Sequence, residues 1–267
     1  MNNSNIQNFT IIRSKEGENH KVQDFVAVEL PMEIRLSHDS KSFITLSITL
    51  CSPTNCEDLV YGYLFTENII TTASDIISCE LCSNELGLIA EVILTKKIDF
   101  SRFLNKRHGM VHASCGICGK TEIENWLTYD YPKINKTQER IADEIICSLP
   151  QALLDSQVLF NKTGSLHACA LFDLSGQLLN MREDIGRHNA LDKLIGMSLR
   201  KDLLPLNNYM LLLSGRVSFE LVHKSLKAGV AHLGAIGAPS NLSIEIAQLN
   251  QMKLYGFIKF DGFNIYC

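Results

Sequence analysis

Between Ser165 and Tyr266, short strand-like apolar runs alternate with segments whose apolar residues recur every three or four positions. Ser165–Asp173, Leu178–Met181, Tyr209–Leu213, Leu233–Gly237, Tyr255–Phe260 and Phe263–Tyr266 read as strands, with a Ser175-Gly176 turn between the first two. Gly186–Arg200, Phe219–Ala228 and the stretch from Pro239-Ser240-Asn241 to Asn250 read as helices. Alternation of this kind leaves few options, because each helix must bury its apolar stripe on a sheet face. The expectation is an α/β domain in three layers.

The preceding chain reads differently. Residues 1–20 are polar and are expected to form a loose arm. Phe25–Leu36 and Phe43–Leu50 alternate apolar and polar residues as strands do, and Ser52-Pro53 breaks the second. Thr54-Asn55-Cys56-Glu57 fits a capping box opening a helix with Leu59, Val60, Tyr63 and Leu64 on one face. With strands at Asp75–Leu81 and Leu88–Leu94, this makes a small α+β domain. A helix over Thr137–Leu149, with Ile141, Ile145 and Leu149 four apart, begins the second half. The expected division is a polar arm 1–20, an α+β domain 21–108, a linker 109–136 and an α/β domain 137–267.

The linker holds the most reactive-looking stretch, Ser114-Cys115-Gly116-Ile117-Cys118-Gly119-Lys120. No acidic residue occurs from Ser101 to Lys120, whereas Arg102, Lys106, Arg107 and Lys120 do, with His108 and His112. A positive field favours thiolate, the nucleophilic form of cysteine. The flanking glycines predict a mobile loop over about 109–120 that becomes ordered when ligand binds. Three other readings compete: half of a zinc site completed by Cys79 and Cys82, a phosphate loop over Ser114–Thr121 lacking its first glycine, and cysteines that merely pack.

Charge and composition narrow the class. A net charge of -4 and a pI of about 6.1 argue against a general nucleic-acid binder. No apolar run approaches membrane-spanning length, and Met1–Thr10 carries no apolar signal core. Nine cysteines in such a chain read as reduced cytoplasmic thiols.

Two strand-to-helix junctions, Ser214-Gly215-Arg216 and Pro239-Ser240-Asn241, would offer helix N-termini to a phosphate, with Arg216 adding a bidentate contact; ordinary capping is the alternative. His167, beside the Thr163-Gly164 turn, reads equally as a core or a site residue. The segment Arg182–Lys193 carries more polar side chains than docking through Leu191, Leu194 and Ile195 requires, so it is either a site or a solvated face in which His188 and Asp192 pair. A zinc deaminase would show H-x-E followed by P-C-x-x-C, and here His167-Ala168-Cys169 lacks the glutamate.

Taken together, Ser114-Cys115-Gly116-Ile117-Cys118-Gly119, Thr163-Gly164 with His167-Ala168, Arg182 to Lys193, Leu213-Ser214-Gly215-Arg216 and Asn264-Ile265-Tyr266 resemble the formate dehydrogenase accessory protein family, FdhD. The likeness runs from about Phe25 to the C-terminus. It implies a cytidine-deaminase-like α/β domain without deaminase zinc or any resident metal, usually homodimeric. It also implies a sulfurtransferase that takes persulfide sulfur from a cysteine desulfurase and delivers it to the molybdenum of bis-molybdopterin guanine dinucleotide, for formate dehydrogenase. Cys115 matches the family's persulfide cysteine and Cys118 its partner. Phe257, Ile258, Lys259, Phe260, Asp261 and Gly262 match its cofactor-binding turn. Ser214, Arg216, His167, Arg187, His188 and Ser240 join them as expected contacts to the cofactor and its guanine nucleotide. Gly262 stands where a basic residue is common and Ser165 where a glycine is, while Cys79, Cys82 and Cys267 lie outside the pattern. The competing functions are a cofactor-binding chaperone without sulfur transfer and a zinc-stabilised scaffold.

Overall fold

The computed structural model describes residues 5–100, 131–134 and 140–267. Cys115, Cys118 and the expected 109–120 loop lie outside the described residues.

The chain opens with a hairpin, β1 (Ile6–Lys15) and β2 (Glu18–Ala27), paired through ten residues. This replaces the expected loose arm. Glu16 and Gly17, at φ 56° and 85°, form the two-residue turn whose twist matches antiparallel strands, and Phe9 faces Asp24 while Ile11 faces Val22. Next come β3 (Leu30–Ser37), β4 (Ile44–Cys51), α1 (Cys56–Thr66), β5 (Ile76–Asn84) and β6 (Gly87–Leu94), with sheet order β4-β3-β6-β5. Met32, Ile34, Leu36, Ala90, Val92 and Leu94 line the face that receives Leu59, Val60, Tyr63 and Leu64 of α1. The cap of α1 is Asn55 in a left-handed conformation, without the side-chain bond a capping box supplies.

The second half contains α2 (Asp143–Ser156), α3 (Val158–Thr163), β7 (His167–Asp173), β8 (Leu178–Asp184), α4 (Arg187–Arg200) and β9 (Tyr209–Leu213). It continues with α5 (Phe219–Lys227), β10 (His232–Ala235), α6 (Asn241–Leu249), β11 (Lys253–Lys259) and β12 (Gly262–Ile265). The sheet order is β12-β11-β10-β9-β7-β8. Strands β9, β10 and β11 run parallel, and the others pair antiparallel. Side-chain alternation sends Cys169 and Leu171 into the core shared with α4, α5 and α6, and Ala168, Ala170 and Phe172 into the core shared with α2. Helices thus cover both faces. In α2 the buried positions are Ile146, Leu149 and Leu153, a register shifted from the Ile141–Ile145–Leu149 spacing.

The two halves interlock where α1 crosses α4. A Cβ on Gly62 would collide with the Asp192 carbonyl, and one on Gly196 with the Asp58 carbonyl. The helices therefore meet backbone to backbone.

Candidate functional site

Most of the polar segment 182–193 lies at this crossing, where its side chains pair with the fold rather than with solvent. Arg182 Nε donates to Asp58 at 2.8 Å, and Arg200 reaches the other oxygen of the same carboxylate at 2.6 Å. Asp184, wholly buried, accepts from Lys193 Nζ at 2.6 Å, from the Ser52 amide and hydroxyl at 3.1 Å, and from the Gly186 amide at 2.8 Å. Asn189 donates to the Leu50 carbonyl, and Lys224 bridges Asp192 (2.6 Å) and Thr66 (3.0 Å). His188 sits 3.3 Å from both Ser218 and Glu220, so its expected pairing with Asp192 is replaced. Burial requires such pairing, because a desolvated charge without a partner is strongly destabilising. Glu183 has a different task. Its carboxylate accepts from the amides of Leu159 (3.2 Å) and Phe160 (2.9 Å), fixing the first turn of α3.

That turn walls a groove of about 660 Å³, within the usual range of small-molecule sites, about 300–1,000 Å³. The groove lies at the end of the sheet where β9, β10 and β11 finish and β7 begins. Its lining includes His167, Ser214, Ile258, Lys259 and Phe260 from the expected contacts, together with Gln157 and Phe160. Ser214 Oγ accepts from the Ala168 amide at 2.9 Å, which ties the β9 end to the β7 start. Burial, and then the Arg187 guanidinium, lower the pKa of His167, so its imidazole is neutral at pH 7. Arg187 lies next to it. A Cβ on Gly215 would be 3.3 Å from His167 Nδ1 and 4.0 Å from Arg187 Cδ. Cys147 also lines the groove, but burial and then Asp143, Asp261 and Glu144 raise its pKa, which keeps it a thiol.

The β11–β12 turn shapes the rim. Phe257 occupies φ 52°, rare for a residue with a side chain, and the β11–β12 pairing shifts register between Gly256 and Lys259. Ile258 is thereby buried, while Phe260 is 88% exposed. A Cβ on Gly262 would meet nothing within 4 Å.

The two helix-entry junctions are less open than their sequence suggests. Gly237 N donates to Gly215 O, Val217 N to Ala238 O and Ser240 N to Val217 O, all at 3.0 Å. These amides bind each other's loops. Ser240 is exposed and caps α6 through the Ser243 amide, and Arg216 is exposed outside the groove lining. Capping is what the second junction does. Cys79 and Cys82, three apart on β5, face opposite sides of their strand, so they do not form one half of a metal knuckle. Groove residues missed by the sequence reading include Gln157, Phe160 and Cys147, which sit in no recognisable motif.

The chain is thus a mixed α/β protein with an aromatic-rimmed groove at the strand ends of its larger sheet. The chain belongs to the FdhD/NarQ family, whose model matches residues 27–267. It is 37% identical over 246 residues to the sulfur carrier protein FdhD of Nocardia farcinica, covering 91% of this chain and 86% of that one. With the protein of the same name from Saccharolobus solfataricus it shares 36% identity over 261 residues, 98% of this chain and 96% of the relative. The crystal structure of a protein from Desulfotalea psychrophila, put forward as a formate dehydrogenase accessory protein, superposes with a TM-score of 0.74 at 22% identity, covering 98% and 97% of the two chains. Among the described residues, no helix is long and apolar enough to cross a membrane.

Proposed function

We propose that this protein is a cytoplasmic sulfurtransferase that carries persulfide sulfur on Cys115 from a cysteine desulfurase to the molybdenum of bis-molybdopterin guanine dinucleotide, for use by formate dehydrogenase. Membership in a family whose curated relatives are named sulfur carriers carries the reading, with the Cys115-x-x-Cys118 pair present in the sequence. Cytidine-deaminase-like layering and a homodimer belong to the same proposal.

The transfer balances without an external oxidant. The Cys115 thiolate attacks the terminal sulfur of the desulfurase persulfide, forming Cys115–S–SH and returning the desulfurase cysteine as thiolate. Cys118 then attacks Cys115 Sγ, forming a disulfide between them and releasing the terminal sulfur as hydrosulfide for the metal. Each cycle therefore leaves a disulfide that a cellular dithiol reduces. The molybdenum cofactor is cargo, and the groove suits its nucleotide end. Phe160 and Phe260 offer faces for a base and Lys259 a cation for phosphate.

The test is to incubate the full chain with a cysteine desulfurase and cysteine, then measure cyanide-labile sulfur on the protein. Wild type should load, Cys115→Ser should not, and Cys118→Ser should load but fail to activate formate dehydrogenase. Equal loading of Cys115→Ser would refute the carrier assignment. Normal dehydrogenase activation by that variant would favour a cofactor-binding chaperone instead.

A further inference from the structure

Cys51 ends β4 and Cys56 begins α1, so the two bracket one corner of the chain, and their thiols hydrogen-bond to each other. Cys51 is wholly buried. Cys56 is 6% exposed and lines a cavity of about 350 Å³ with Asn55, Cys82 and Arg200. The surroundings suit a reactive thiol better than packed sulfur. Cys56 lies at the positive end of its helix, and Asn55 gives that turn no side-chain cap. Cys56 Sγ is 3.8 Å from the Ser52 carbonyl, and Lys193 Nζ donates to the same oxygen at 3.0 Å. The hydrogen bond from Cys51 lowers the pKa of Cys56 against desolvation, and Lys193 lowers it further against Asp184. Cys51, as donor and as a buried group, is raised. Burial also raises Cys79, to about 12, and Cys147, Cys169 and Cys267. A thiolate able to attack therefore stands beside a protonated thiol able to resolve what it forms.

We infer that Cys51 and Cys56 form an oxidation site for hydrogen peroxide, in which Cys56 attacks the peroxide and Cys51 closes a disulfide. The site does not depend on the sulfur-carrier reading. In the first step the Cys56 thiolate attacks one peroxide oxygen and the O–O bond breaks. The departing hydroxide takes a proton from solvent, leaving Cys56 as a sulfenic acid and one water. In the second step Cys51 sulfur attacks Cys56 Sγ, the S–O bond breaks, and the hydroxide leaves with the Cys51 proton as a second water. Two thiols are thus oxidised to one disulfide while one peroxide is reduced. The sulfurs start in hydrogen-bond contact, the approach that an S–S bond of about 2.05 Å requires.

The experiment exposes the reduced full-length protein to hydrogen peroxide, alkylates the remaining thiols after denaturation and cleaves after glutamate. The peptide 34–57 then holds Cys51 and Cys56 and no other cysteine, which separates this pair from Cys115 and Cys118. By mass spectrometry it should lose two hydrogens and take no alkyl group, about tenfold or more faster than Cys147 loses its thiol. Dimedone should label Cys56 in Cys51→Ser, and Cys51 should remain a thiol in Cys56→Ser. If the unaltered protein keeps both thiols open to alkylation after Cys147 has oxidised, the assignment is wrong whether or not the variants fold. A disulfide in the unaltered protein with no dimedone label on Cys56 in a folded Cys51→Ser would overturn the roles given to the two sulfurs.

Discussion

The helix crossing and the groove share a stretch of chain, residues 182–187, yet they treat polar groups in opposite ways. At the crossing, Asp58, Asp184, Asp192, Lys193 and Lys224 are buried and each has a charged partner within 2.8 Å. At the groove, a buried amide has no partner, a phenylalanine sits at positive φ, and an aromatic ring is left largely in water. A dense polar motif therefore does not identify a site. What separates the two regions is whether the polar groups are satisfied by the fold itself, since a fully paired network rigidifies while an unpaired one awaits something.

If that contrast is right, damage at the crossing should appear as lost stability. The largest effect is expected for Lys193→Met, which strands the Asp184 carboxylate in the interior and should cost about 3–5 kcal/mol by denaturant unfolding. A loss under 1 kcal/mol would mean that Asp184 is sustained by Ser52, Gly186 and Asn189 alone. Next is Gly196→Ala, whose new methyl group meets the Asp58 carbonyl. It should cost about 1–3 kcal/mol, the range of overpacked interiors, with nucleotide affinity unchanged in the folded fraction. The smallest stability effect belongs to the groove rim. Gly262→Arg enters open space at a φ any residue adopts, so unfolding should shift by no more than about 0.5 kcal/mol. The added cation beside Lys259 should nonetheless tighten GDP several-fold, more so at low salt. A calorimetric titration with no gain would place the phosphates away from the turn.

The contrast also marks what the sequence could disclose. Strand and helix alternation after Ser165 was legible because each element carries its own periodicity, and the elements of the large sheet fall where that periodicity puts them. The β1–β2 hairpin was obscured by polar residues, although Glu16-Gly17 is a fair turn signal. The segment 182–193 stood out but was open to misreading, because the residues that satisfy it, Leu50 to Thr66, lie more than a hundred positions away. Within the groove, His167, Ser214 and Lys259 were marked by neighbouring motifs. Gln157 carried no local signal, since being unpartnered is a property of the packed chain.

The meeting of Gly62 and Gly196 has a mechanical consequence. At Gly62 and Gly196 no side chain separates the two backbones, so neither helix can slide on the other there without a backbone clash. The four-stranded and six-stranded sheets are thus one rigid block, and a calorimetric scan should show them melting in a single transition. On this account the groove does not open or close by movement of one sheet against the other.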